Sequence, residues 1–81
     1  MRVHVRLFAT LREAAGADRL ELSLPAIATA EDAWRRVVEQ HPALAGSRPS
    51  LTAAVNRRYA DWHEPIKDGD EIAFIPPVSG G

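Results

Sequence analysis

Two glycines, Gly80 and Gly81, close the sequence behind Pro76-Pro77-Val78-Ser79, and they are the residues best suited to chemistry. With no side chains to clash, such an end can be threaded through a narrow cleft and held at another protein's active site. The candidate reactive group is therefore the main-chain carboxylate of Gly81. Gly80 is read as serving access, because any side chain there would meet the walls of a cleft shaped for bare backbone. Few alternatives compete with this reading. The sequence has no cysteine, which excludes thiol nucleophiles, disulfides and thiolate metal sites. His4, His41 and His63 fall in separate segments with no i, i+4 pairing. Asp68, Asp70 and Glu71 crowd around Gly69 as in a turn feeding a strand, so no metal is expected, and no bound cofactor is expected either.

Composition narrows the function classes further. A chain of 81 residues makes one domain with a single modest core and no interdomain cleft, so an enclosed catalytic site is not expected. Apolar residues at 46% and charged residues at 26% are ordinary for a folded soluble chain. A net charge of -1 argues against the basic patch that non-specific nucleic-acid binding needs. No stretch approaches the length of about 20 apolar residues that spans a bilayer. Met1-Arg2-Val3 leads straight into a strand pattern rather than an export signal, so the cytoplasm is the expected location.

The elements that must position the glycines are legible as alternations. Val3, Val5 and Leu7 alternate with Arg2, His4 and Arg6, the period of a strand with one buried face. Ala9 to Gly16 carries Leu11, Ala14 and Ala15 at helical spacing and ends on a glycine suited to a left-handed stop. Leu20, Leu22 and Leu24 alternate again before Pro25, giving a second strand in a hairpin with the first. Thr29 supplies a cap hydroxyl, and Ala30, Ala33, Trp34, Val37, Val38 and His41 follow at amphipathic spacing, predicting a helix to about Gln40 that Pro42 ends. Pro42 to Ser50 reads as loop.

Leu51, Ala53 and Val55 make a third strand, and Asn56-Arg57 a turn. Tyr59 and Trp62 fall in a short extended piece, and Asp68-Gly69 in a turn with positive φ. The last strand, Glu71 to Ile75, is apolar on both sides and is read as lying inside the sheet. Two hairpins around one main helix predict an α+β, β-grasp (ubiquitin-like) sheet of about five strands, its first and last strands side by side at the centre. Residues 1–75 are then the domain, and residues 76–81 an extended tail with a reach of about 20 Å.

The run from Gly69 to Gly81, with Ile75-Pro76-Pro77-Val78-Ser79 before the two glycines, resembles the small, sulfur-carrying subunit of molybdopterin synthase, of the MoaD/ThiS ubiquitin-like family. Val3 to Ala9 followed by Leu11-Arg12-Glu13 resembles that family's opening strand and turn, and Ala54-Val55-Asn56 its third strand. The resemblance implies a cycle centred on Gly81. An activating enzyme, MoeB-like, uses ATP to adenylate the carboxylate, a sulfur donor displaces AMP to leave a thiocarboxylate, and the charged tail enters a large subunit, MoaE-like. There sulfur passes to a pterin precursor, cyclic pyranopterin monophosphate, and two loaded carriers serve the two sulfurs of a dithiolene in a heterotetramer. The general acids and bases belong to the large subunit, so this chain is a carrier rather than an enzyme alone.

The same resemblance marks Phe8, Tyr59 and Ile75, with Pro76, Pro77, Val78 and Ser79, as partner-binding. The first three sit off the inward alternation of Leu7, Val55 and Phe74, and their alternative role is to cap the core. Tyr59 departs from the family, where aliphatic residues are common. Trp34 and Trp62 read as core filling, and Arg57-Arg58 as a solvated turn. The residues leave other functions open: a thiamine-pathway carrier (ThiS-like), a ubiquitin-like modifier acylating lysines, and a passive interaction domain.

Overall fold

The alternations predicted from the sequence become one mixed sheet with helices on one face in the computed structural model, which describes residues 1–77. The strands are β1 (Arg2–Leu7), β2 (Arg19–Ser23), β3 (Thr52–Val55), β4 (Arg58–Ala60) and β5 (Glu71–Ile75), and the helices are α1 (Ala9–Ala15) and α2 (Ala30–Gln40). Strand order is β2-β1-β5-β3-β4. β1 and β5 pair in parallel at the centre, with Val5 beside Ile72 and Leu7 beside Phe74, and the outer pairs are antiparallel.

Inward positions of the sheet bury Val3, Val5, Leu7, Leu22, Val55, Ile72 and Phe74 against Ala33, Trp34 and Val37 of α2. Alternation by two on the strands meets a helical stripe repeating at three and four, which is why one face closes and the other stays open. No polar or charged side chain is buried among the described residues.

Local chemistry fixes the ends. Thr29 caps α2 through a reciprocal box: the Asp32 N–H donates to Thr29 Oγ1 at 3.3 Å, and the Thr29 N–H donates to Asp32 Oδ2 at 2.9 Å. Gly16 closes α1 at φ 73°. Asn56 and Arg57 take φ 50° and 69° between the paired Val55 and Arg58, the two-residue turn whose twist suits a hairpin.

Two details differ from the sequence reading. Pro42–Ser50 is a 3-10 helix rather than loop, begun by Pro42 and anchored by Leu44, which is buried in the core. Trp62 lies just past β4 rather than on it, stacked on Phe74 with centroids 5.6 Å apart, while Trp34 meets the same ring edge-on at 5.0 Å. The Arg48 guanidinium lies 3.5 Å from the centre of the Trp62 ring and forks onto Glu31, with Nη2 donating to Oε1 at 2.7 Å. That fork ties the 3-10 segment to α2.

Candidate functional site: the open sheet face

Because successive residues of a strand point to opposite faces, the inward set just described dictates what stands outside. Across the middle of the open face the register sets Arg6 beside Ala73, Ala73 beside Ala54, and Ala54 beside Tyr59. One step along, Ile75 pairs with Thr52, and Phe8 follows Leu7 off the end of β1 next to Ile75. The two alanines form a low floor, and the larger side chains stand around it. The result is a depression of about 320 Å³ lined by Phe8, Ala54, Tyr59, Ala73 and Ile75, with Arg6, Arg57 and Glu71 at its rim.

The structure thus brings Phe8, Tyr59 and Ile75 together in one concavity. Tyr59 is 81% exposed, so it does not cap the core, and Phe8 and Ile75 are half-buried. The Arg6 guanidinium lies 5.2 Å from the centre of the Phe8 ring, and Arg57 Nε is 3.7 Å from Glu71 Oε1. Pro76 is half-buried and Pro77 exposed where the chain leaves β5, beside Phe8. Val78, Ser79, Gly80 and Gly81 lie outside the described residues.

Sequence reading missed the floor and the rim. Ala54 and Ala73 are out of phase with Val55 and Phe74, and small residues at outward positions of two inner strands were the available sign that the face is concave. Arg57 is exposed in its turn, as read, and also stands at the rim of the depression, whereas Arg58, in register with Val55, points to the opposite side.

The two aspartates beside Gly69 are occupied by backbone N–H groups and by Asn56. Asp68 Oδ1 accepts the Arg2 N–H at 2.7 Å, Asp70 Oδ2 accepts the Lys67 N–H at 2.7 Å, and Asp70 Oδ1 accepts from Asn56 Nδ2 at 2.9 Å. Those bonds hold Gly69 at φ 84° and launch β5, which accounts for the cluster as a turn. Among the described residues no group of three or more His, Asp or Glu could hold a metal ion, and no helix is long and apolar enough to cross a membrane.

A five-stranded sheet backed by helices, with parallel first and last strands at its centre, defines a ubiquitin-like β-grasp domain. Solved structures agree. Small archaeal modifier protein 1 of Haloferax volcanii superposes with a TM-score of 0.89 at 30% identity, covering 95% of this chain and 98% of that one. Subunit 1 or 2 of the molybdopterin-converting factor complex of Helicobacter pylori superposes with a TM-score of 0.71 at 26% identity, with full coverage of both chains. The molybdopterin synthase sulfur carrier subunit of Chlamydomonas reinhardtii is 39% identical over 83 residues, again covering both chains completely. Residues 5–81 match the ThiS family, and the chain belongs to it.

Proposed function

We propose that this chain is the sulfur carrier subunit of a molybdopterin synthase. The observation carrying the reading is its end-to-end identity of 39% with a relative of that name. The geometry supports it, since the apolar concavity of Phe8, Tyr59 and Ile75 lies where the chain leaves the sheet for Gly80 and Gly81.

In this proposal residues 76–81 are the working tail of a domain formed by residues 1–75. The Gly81 carboxylate attacks the α-phosphorus of ATP on a MoeB-like enzyme, pyrophosphate leaves, and an acyl-adenylate forms. Hydrosulfide-level sulfur from a separate donor attacks the acyl carbon, the bond to AMP breaks, a proton is lost, and a thiocarboxylate remains with no change of oxidation state. The large, MoaE-like subunit docks on the open face and receives the tail, sulfur passes to the pterin precursor, and water restores the carboxylate. Gly80 keeps the approach narrow enough for a cleft. The carrier works in the cytoplasm, where ATP is supplied, within a heterotetramer, and needs no cofactor of its own.

The test is intact mass after incubation with a MoeB-like enzyme, ATP and a sulfur source. A gain equal to one oxygen replaced by sulfur, absent from a chain lacking Gly80 and Gly81, is the expected result. No gain with an enzyme active on another carrier counts against the proposal. The likeness to a small archaeal modifier protein supports a second reading, attachment of Gly81 to lysines of other proteins. Isopeptide-linked Gly81 in lysates, lost on deleting both glycines, favours that reading.

A further inference from the structure

The open face carries one pairing that folding disfavours. Arg6 and Arg19 stand directly opposite each other on β1 and β2, and like charges so placed destabilise a sheet. Among the described residues neither guanidinium forms an ion pair with a carboxylate. The acids on the same face are engaged elsewhere, Glu21 with Arg2 and His4, and Glu71 with Arg57.

Position adds a second observation. Arg6 is shared by the apolar depression and by a neighbouring polar one of about 510 Å³, whose lining also includes His4, Arg19, Glu21 and Glu71. The two arginines are therefore continuous with the proposed docking surface. With Arg2 and Arg57 offsetting Glu21 and Glu71, the two arginines are the unbalanced charges of that end of the face.

We infer that the large subunit seated on the apolar depression places an acidic side chain on the Arg6–Arg19 pair. The inference rests on the function proposed above and adds the partner's chemistry: an apolar knob flanked by a carboxylate. Planar guanidinium groups on adjacent strands can take a carboxylate in a forked geometry, and their charge repels a partner with a basic flank. The repulsion tolerated in the free chain is relieved in the complex.

The test uses the full chain and the purified large subunit of molybdopterin synthase from the same genome, titrated by calorimetry at low and high salt. Arg19→Glu sets opposite charges across the hairpin, so it should raise the free chain's melting temperature by about a few degrees while weakening binding about tenfold at low salt. High salt should shrink the binding difference. Arg19→Gln, which removes charge without reversing it, should weaken binding about threefold. Wild-type binding combined with Arg19→Glu affinity within about twofold of it at low salt overturns the inference alone. No binding by the wild-type chain overturns the proposed function and this inference together.

Discussion

Replacing Arg48 by alanine should destabilise the domain by about 2–3 kcal/mol at neutral pH. Arg48 Nε donates to both carboxylate oxygens of Glu31, at 3.2 and 3.3 Å, while Nη2 donates to one at 2.7 Å. The two side chains are 32% and 22% exposed, so water screens the pair only in part. A charged, forked pair at such a site contributes about 1–2 kcal/mol, and the guanidinium on Trp62 adds about 1 kcal/mol. Against a total of about 4–12 kcal/mol for a chain of this length, the loss is large.

The pH dependence gives the stricter check. The hydrogen bond from Arg48 holds the Glu31 carboxyl below its usual pKa, burial opposes the shift, and the charges of Arg48, Arg35 and His63 reinforce it. A depressed pKa in the folded state means stabilisation present at neutral pH and lost as pH falls through the carboxylate range. Urea unfolding followed by tryptophan fluorescence should therefore show the Arg48→Ala loss shrinking to about 1 kcal/mol near pH 3, the stacking remainder. Glu31→Gln should remove most of that pH dependence. An Arg48→Ala loss that is equal at both pH values, or below about 0.5 kcal/mol at neutral pH, would refute the reasoning.

Two further outcomes follow from the geometry. Phe8→Asp should weaken large-subunit binding by about tenfold or more in calorimetry, with the thermal midpoint nearly unchanged, because the ring is half-buried outside the core. Gly69→Ala should cost about 1–2 kcal/mol in thermal unfolding from backbone strain alone, since φ is 84° and an added Cβ meets nothing within 4 Å. Gly46→Ala, with the same open space and no positive φ, is the matched control.

What the sequence disclosed depended on periodicity. The strands around Val5, Leu22 and Phe74 and the helix from Ala30 have burial patterns that repeat, whereas β3 buries Ala53, Ala54 and Val55 in succession, and two-sided apolarity marked β5 as central. The 3-10 segment escaped because nine residues with two prolines and one buried leucine have no period to read, and its anchoring contact, Arg48 to Glu31, is 17 residues distant. At the site, alternation identified Phe8 and Ile75 as outward-facing, but the Arg6–Arg19 pairing is a matter of register. The long connection through α1 left that register undetermined until the sheet was seen. Ala9 at φ 50° had no residue-level sign at all, as alanine rarely adopts that conformation.

The central placement of β5 also has a mechanical meaning. It is hydrogen-bonded to β1 on one side and to β3 on the other, so its terminal residue Ile75 is held by two ladders. Tension applied to the chain beyond Ile75 along the strand loads both ladders in shear, many bonds at once, whereas an edge strand pulled sideways gives way one bond at a time. A pull on that end therefore has to break two sets of ladder bonds together, and the domain resists unravelling from its last strand.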